Sequence, residues 1–225
     1  MKKQGSPDKP KRDLDDFTFD DFDPGLAFSE FEHEVTELPS PRKGHRNEAK
    51  HQFRKEDRKR NLEEIQIEVI PGTSIHMISS GLWDFWSMVP VLHRKYGTIE
   101  ALYFTTWMVN RDILSELYEM KDTGMVREFT IGIGTYLKRR NTDVYGFLST
   151  GCLRRKQRFV VFRNHTKILL LKFENGLHVT IESSANMAAN FNMEQFTMTE
   201  NRELFEFHKG WIEELISKRE KNVNF

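Results

Sequence analysis

A β-hairpin bordered by polar residues limits the fold of this chain more than any other feature. Two apolar runs, residues 168–171 and 177–181, flank the dipeptide Asn175-Gly176. Their alternation and β-branched residues predict strands, and Asn-Gly is a strong hairpin signal. A further apolar run, residues 159–162, comes just before them. The stretch therefore predicts three successive strands.

Polar residues stand on both sides of this hairpin. His165 and Lys167 precede its first strand, and Ser184 and Asn186 follow its second strand. Residues two apart on a strand point to the same side, and a hairpin brings its two ends together. We therefore predict that His165 and Lys167 point together from one strand and meet the hydroxyl and the amide. Such a set suits a phosphate group, because it offers a nucleophile and donors for the phosphate oxygens.

The same residues resemble a family signature. The stretch is similar to HxK(x)4D(x)6GSxN, the motif of the phospholipase D superfamily, and to the N-x-E that follows it in nuclease-like members. The chain departs from the motif at Lys172, which stands at the aspartate position, and at Ser183, which stands at the glycine position; its hairpin is also four residues longer. The matching residues are His165, Lys167, Ser184, Asn186, Asn192 and Glu194.

The resemblance implies a reaction and a role for each residue. It implies metal-independent cleavage of a phosphodiester in two steps through a phosphohistidine, with no cofactor. His165 would be the nucleophile. Lys167 and Asn186 would hold non-bridging oxygens, with help from Ser184. Glu194 would hydrogen-bond the imidazole and fix its tautomer.

The reaction also needs a second histidine, which protonates the leaving oxygen. Because the chain holds one motif, the resemblance implies a homodimer in which two His165 residues face each other. Glu182 is a second acid for the orienting role, since Lys172 occupies the aspartate position. The histidines that we expect to be structural or exposed are His76, His93, His178 and His208.

Hydrophobic periodicity predicts an α/β fold. Strands that alternate with helices favour a mainly parallel mixed sheet flanked by helices, which is also the phospholipase D-like architecture that the resemblance implies. The single cysteine, Cys152, is predicted to be a buried or loop thiol. Besides the three strands above, the predicted elements are strands at 65–69, 99–106 and 126–133 and helices at 82–96, 111–120, 136–148 and 201–218.

Charge segregation divides the chain into two predicted regions. Residues 13–37 carry ten acidic residues and no lysine or arginine, whereas residues 42–60 carry nine basic residues against three acidic ones. Such blocks are typical of solvated segments, so we predict a disordered charged tail over 1–61 and a phospholipase D-like domain over 62–225. The acidic block contains phenylalanines and could bind another protein or cover a basic groove. The basic block could be a solvated helix or an arm that contacts phosphates.

Basic clusters near the motif suggest a nucleic-acid partner. The clusters could be solvated loops or a clamp on the phosphate backbone. A non-catalytic nucleic-acid-binding module with a degenerate site and a phospholipid phosphodiesterase or transferase remain as alternatives. No apolar leader or membrane-length apolar run is present, so the expected location is cytoplasmic and no membrane partner is expected. The clamp residues are Arg139, Arg140, Arg154, Arg155, Lys156 and Arg158.

Overall fold

The computed structural model describes residues 45–46, 51–56, 68–79, 85–187 and 192–223. A 3₁₀ turn, Phe85–Ser87, precedes the first helix. The strands are β1 (His45–Arg46), β2 (His51–Glu56), β3 (Ser74–Ser79), β4 (Ile99–Thr106), β5 (Val126–Gly134), β6 (Arg158–Phe162), β7 (Ile168–Phe173), β8 (His178–Ser183) and β9 (Glu194–Glu200). The helices are α1 (Met88–Tyr96), α2 (Arg111–Asp122), α3 (Thr135–Arg140), α4 (Thr142–Arg154) and α5 (Arg202–Val223).

The described strands form one mixed sheet in the order β1-β2-β3-β9-β8-β7-β4-β5-β6. The predicted α/β class, with a mixed sheet flanked by helices, is confirmed. Strands β4, β5 and β6 are parallel, as are β2 and β3, whereas β7, β8 and β9 run antiparallel to their neighbours. The sheet is therefore parallel only in its β2–β3 and β4–β5–β6 parts, and the other strand pairs are antiparallel. The hairpin that contains Asn175-Gly176 and the added strand β9 make the centre antiparallel.

Helices cover the two faces of the sheet unequally. The larger core lies between the sheet and helices α1, α2 and α4, and it includes Leu102, Phe104 and Leu169. Helix α5 covers the other face, where Tyr103 and Leu170 pack against its residues Phe205 and Ile212. This division follows from the strand period of two, which sends Leu102 and Phe104 to one face and Tyr103 to the other.

Several predicted elements are confirmed at their expected positions. Strand β4 has the predicted bounds, and α2 begins after Asn110, whose side chain accepts a hydrogen bond from the backbone N–H of Ile113. The predicted helix at 136–148 is instead two helices, because Asn141 ends α3 and its side chain accepts from the backbone N–H of Val144 at the start of α4. Cys152 is buried, and burial raises the pKa of its thiol to about 12.

Two strands were missed by the sequence prediction. Residues 74–79 were expected to be a loop, but Ile75 and Met77 are buried on one side of β3. Residues 194–200 were assigned no element from the sequence, but they form β9, with Phe196 and Met198 buried on one side. Each strand has only two buried apolar residues, and one polar residue separates them, which is a weak alternation signal. β9 joins β8 to β3 and so holds the sheet together.

The amino-terminal predictions are only partly covered by the described residues. The predicted strand at 65–69 lies largely outside them, and residues 68–70 are not in a strand. Strand β2 lies within the predicted tail and pairs in parallel with β3, so at 51–56 a strand replaces the helix that we favoured. The boundary at residue 62 and the acidic block at 13–37 lie outside the described residues.

Strand directions gather the motif residues at one end of the sheet. Strands β4, β5, β6 and β8 end there, and β7 and β9 begin there. We call this the His165 end. At the other end, called the opposite end, β4 and β5 begin and β7 finishes. Polar groups that follow parallel strands commonly meet a ligand at such an end.

Candidate functional site

His165 and Lys167 lie in the connection between β6 and β7, and not on a strand as predicted. The connection is shaped by Asn164, which is buried. The side-chain amide of Asn164 donates to the backbone oxygen of Thr106 at 3.1 Å. Its oxygen accepts from the backbone N–H and the hydroxyl of Thr166, at 2.8 and 2.6 Å. These bonds attach the loop to the end of β4 and fix the backbone on both sides of His165.

The ammonium of Lys167 lies against the His165 side chain. Lys167 Nζ is 3.1 Å from Nδ1 and 3.3 Å from Nε2 of the ring, and it donates to the His165 backbone oxygen at 2.9 Å. One atom cannot lie along both in-plane lone-pair directions of an imidazole. The ammonium is therefore over the ring, and the in-plane direction of each nitrogen is left for another partner.

The surroundings of the two side chains lower the pKa of both. Partial burial lowers the pKa of His165, and the positive charge of Lys167 lowers it further. Burial also lowers the pKa of Lys167, while the charge of Glu194 acts in the opposite direction. A lowered pKa keeps the imidazole neutral at neutral pH, which is the form that can act as a nucleophile.

Ser184 and Glu194 meet where β8 ends and β9 begins. The hydroxyl of Ser184 donates to Glu194 Oε2 and accepts from the backbone N–H of Gln195 at 3.0 Å. Glu194 is thus bound to Ser184, and its charge acts on Lys167. The predicted role of Glu194 in orienting His165 stays a prediction.

Asn186 lies beside the end of β4. Its side-chain oxygen is 3.4 Å from the hydroxyl of Thr106, which also accepts from the backbone N–H of Met187 at 3.2 Å. Because the amide oxygen faces Thr106, the NH₂ group of Asn186 points the other way. It can therefore serve as the donor that the resemblance implies.

Glu182 and His208 form a separate pair on the α5 face. His208 Nε2 is 3.4 Å from Glu182 Oε1, and its Nδ1 accepts from Trp211 Nε1 at 3.2 Å. Burial lowers the pKa of His208, and Glu182 partly offsets this. Glu182 therefore partners His208, which makes it a poor substitute for Glu194.

The other predicted histidines also have partners away from His165. We expected His178 on the outer face of the hairpin, but it is buried against the ring of Phe205, because α5 covers that face. Its Nδ1 lies 2.8 Å from the oxygen of Gly176. His76 faces Thr197, and His93 faces the backbone oxygen of Gly97.

Lys172 is far from the predicted site. It lies near the opposite end of β7 and forms an ion pair of 2.7 Å with Glu100 on β4. Five residues of extended strand separate it from Lys167, which is about 16 Å at the usual rise per residue. The substitution at the motif aspartate position therefore removes no group from around His165.

The structure divides the predicted phosphate clamp between two places. Arg139 and Arg140 are exposed on α3, which follows β5 at the His165 end. Arg155 is paired with Asp122 near the opposite end, at 2.5 Å. Arg158 is paired with Glu213 of α5 at 2.6 Å. The remaining members, Arg154 and Lys156, are exposed close to Arg155 where α4 finishes.

Sequence reasoning missed four residues at the His165 end. Thr106 ends β4 and Trp107 follows it, Asn164 directly precedes His165, and Tyr136 belongs to the first turn of α3. The available signal was the position of polar and aromatic residues after parallel strands. The ring centroids of Trp107 lie 4.9 Å from Tyr136 and 6.1 Å from His165.

The described residues contain no group of three or more His, Cys, Asp or Glu side chains that is placed to hold a metal ion. Within the same residues, every helix is too short or too polar to cross a bilayer.

Comparisons with known proteins find similar folds at low sequence identity. A polyphosphate kinase from Porphyromonas gingivalis is 17% identical, with a TM-score of 0.47; the match covers 64% of this chain and 26% of the kinase. Nuc from Salmonella typhimurium, a phospholipase D family member, is 16% identical, with a TM-score of 0.41, over 57% of this chain and 86% of Nuc. A mutant of yeast tyrosyl-DNA phosphodiesterase is 15% identical, with a TM-score of 0.37, over 65% of this chain and 39% of the yeast protein.

The chain spans about a quarter of the length of that polyphosphate kinase. No protein family model and no curated protein matches the chain. A phospholipase D family member is among the solved structures to which the chain is similar. The resemblance to the phospholipase D superfamily rests on the motif residues from His165 to Glu194.

Proposed function

We propose that this chain is a phosphodiesterase that cleaves nucleic acid through a phosphohistidine on His165, without a metal ion. One observation carries the proposal: the imidazole of His165 lies against the Lys167 ammonium, with 3.1 Å between Nζ and Nδ1. A nucleophile and a cation for the phosphate oxygens are thus already side by side. The Asn186 amide, beside the end of β4, is a further donor.

The proposed reaction has two steps. A ring nitrogen of His165 attacks phosphorus, the bond to the leaving oxygen breaks, and that oxygen takes a proton from a second imidazole. Water then attacks phosphorus, gives its proton to the second imidazole, and releases a phosphate monoester and neutral His165. Lys167 and Asn186 stabilise the negative charge on the non-bridging oxygens in both steps. Ser184, held by Glu194, keeps β8 and β9 joined beside the nucleophile.

The second imidazole is proposed to come from His165 of a second copy of the chain. The four other histidines with described side chains all face partners elsewhere: His76, His93, His178 and His208. Two-fold pairing of identical surfaces is the commonest oligomer geometry, and it would bring two His165 side chains together. The predicted cytoplasmic location and the protein partner of the acidic tail also remain proposals, and they rest on composition.

The competing function is binding without cleavage. Lys172 at the aspartate position motivated that alternative, but it lies near the opposite end and pairs with Glu100. This position of Lys172 supports the proposal of an active site, and the cleavage experiment below tests it. A phospholipid substrate is distinguished by transfer of the phosphatidyl group to a primary alcohol.

Cleavage of labelled nucleic acids in EDTA tests the proposal. The substrates are single- and double-stranded DNA and RNA, and the proteins are the wild type, His165→Ala and the control Lys172→Ala. We expect cleavage by the wild type and the control and none by His165→Ala. Binding that survives in His165→Ala, with cleavage by no protein, would instead support the binding module.

A further inference from the structure

Two aromatic side chains form the rim of the His165 site. The rings of Trp107 and Tyr136 lie 4.9 Å apart at an angle of 39°, and the Trp107 ring is 6.1 Å from the His165 ring. Trp107 follows β4 and Tyr136 belongs to the first turn of α3. No step of the proposed reaction uses either residue.

The local backbone explains why Trp107 lies between Tyr136 and His165. Gly134 ends β5, and a Cβ at that position would lie 2.8 Å from Trp107 Cδ1 and 3.3 Å from the Asn164 backbone oxygen. The missing side chain therefore lets the indole pack directly on the loop that carries His165. Replacing Gly134 by any other residue would push these groups apart.

The pair differs from the aromatic residues of the core. Trp86 is 2% exposed and Tyr118 is 4% exposed, and both pack among core side chains. Tyr136 is 38% exposed, and Trp107 is partly exposed. A large apolar ring that stays open to solvent beside a candidate nucleophile is available to a substrate.

Cationic side chains border the same rim. Arg139 and Arg140 are exposed on α3, the helix that carries Tyr136, and Arg163 is exposed two residues before His165. Basic residues that follow a backbone, together with aromatic rings that stack bases, are the combination that binds single-stranded nucleic acid. A base can stack on a protein ring only when it is not stacked within a duplex.

We infer that the Trp107–Tyr136 pair stacks an unpaired base of single-stranded nucleic acid whose neighbouring phosphate lies at His165. The inference takes its ligand class from the proposed function and deepens it, because it selects single strands over duplexes. The shared chemistry is the unpaired base, so DNA and RNA strands are separate arms of the test.

Binding of matched oligonucleotides tests the inference. The ligands are a labelled oligothymidylate and the same strand in which the central residues are abasic, with an oligouridylate as the RNA arm. The dissociation constants are measured by fluorescence anisotropy in full-length His165→Asn protein, which prevents cleavage. The compared variants add Tyr136→Phe, which keeps the ring, or Tyr136→Leu, which removes it.

We expect the abasic strand to bind about tenfold more weakly than the intact strand when the ring is present. This difference should persist in Tyr136→Phe and fall below about twofold in Tyr136→Leu. Indole fluorescence should be quenched by the intact strand, and Trp107→Phe should remove that quenching. Equal binding of intact and abasic strands, or an equal base dependence in Tyr136→Leu, would overturn the inference.

The outcomes separate this inference from the proposed function. Base-dependent binding that needs Tyr136, without cleavage by the wild type, supports stacking and contradicts the phosphodiesterase. Cleavage that needs His165 but proceeds equally on duplexes overturns stacking and leaves the phosphodiesterase in place. If neither strand binds, stacking is overturned. Hydrolysis of bis(p-nitrophenyl) phosphate by the wild type but not by His165→Asn would then still support the phosphodiesterase.

Discussion

Lysine and arginine side chains have different partners at the two ends of the sheet. At or near the opposite end, cations pair with carboxylates: Lys172 with Glu100 at 2.7 Å and Arg155 with Asp122 at 2.5 Å. At the His165 end, Lys167 is 8% exposed and its hydrogen bonds go to His165. One end thus neutralises its cations within the protein, while the other places a buried cation on a neutral base.

This difference separates stability from function. Exposed ion pairs contribute little to folding, since solvent screens them. A buried ammonium is costly unless it is well partnered, so its presence beside His165 indicates a use other than stability. In our account, the phosphate of the substrate is a further negative partner of Lys167, in addition to the charge of Glu194. The same residue type at the two ends, Lys167 and Lys172, provides the matched comparison.

The largest expected effect comes from exchanging each lysine for methionine. Lys167→Met should lower kcat/KM for nucleic-acid cleavage by about 10²- to 10³-fold, because it removes the charge that stabilises the transition state. Lys172→Met should leave kcat/KM within about twofold of the wild type. Initial-rate measurements in EDTA at one pH check both values. Equal losses in the two variants would contradict the division between the two ends.

Glycine substitutions at the two ends should separate activity from folding. Gly134→Ala places a methyl group 2.8 Å from Trp107 at the His165 end, and it should lower kcat/KM by about tenfold or more by displacing the His165 loop. Gly151→Ala, on α4, places a methyl group against the ring of Tyr118. It should lower the free energy of unfolding by about 1–3 kcal/mol without changing kcat/KM of the folded protein.

The control for these variants is Gly146→Ala, on the same helix as Gly151. A Cβ at Gly146 meets nothing within 4 Å, so alanine should raise the free energy of unfolding by about 0.5–1 kcal/mol. Urea denaturation measures all three proteins. Loss of activity in folded Gly151→Ala would show that the two ends are not independent. Full activity in Gly134→Ala would contradict the expected displacement of the His165 loop.

The pH dependence of His165 gives a smaller and more specific effect. Burial and the Lys167 charge lower its pKa below the ordinary 6.5, and the neutral ring is the reactive form. Because the proposed reaction needs one neutral and one protonated His165, activity should be highest near this lowered pKa, below pH 6.5, and should decline on both sides of it. Lys167→Met should raise the His165 pKa, and Lys172→Met should not. NMR titration of the imidazole proton needs no activity and checks both.

The smallest expected effect concerns the pair formed by Lys172. The Lys172 side chain hydrogen-bonds Glu100 and holds the pKa of that carboxyl below its ordinary value of 4.5. A lowered folded-state pKa contributes stability above pH 4.5 that is lost as the pH falls through the folded-state value. The wild type should therefore be slightly more stable than Lys172→Met at pH 7, and the difference should vanish in acid or in high salt. A difference that is unchanged in acid would contradict the pairing.

The sequence predicted which end of the sheet holds the candidate site better than it predicted the secondary structure around each residue of that site. The hairpin and the spacing of His165, Lys167, Ser184 and Asn186 were enough to predict their position, because strand geometry carries residues on both sides of a hairpin to one end of the sheet. The assignment of His165 to a strand was wrong, since Asn164 turns the chain with its own side chain. Hydrogen bonds from a side chain to the neighbouring backbone leave no periodic pattern in the sequence.

Hydrophobic periodicity in the sequence could not predict other features, because those features depend on tertiary contacts. Helix α5 buries His178 and contributes His208, the partner of Glu182. The local sequence around these residues does not indicate which face of the sheet the helix covers. Arg155 and Arg158 look like a phosphate clamp in sequence, yet each meets an acid from a distant element.

Trapping a covalent adduct tests the central claim most directly. Wild-type protein and His165→Ala are incubated in EDTA with nucleic acid that carries a radioactive phosphate, and the protein is denatured at alkaline pH and then exposed to acid. We predict an acid-labile, alkali-stable label on the wild type, as expected for phosphohistidine, and none on His165→Ala. Cleavage of nucleic acid by the wild type with no label, or a label that persists in His165→Ala, would contradict the account.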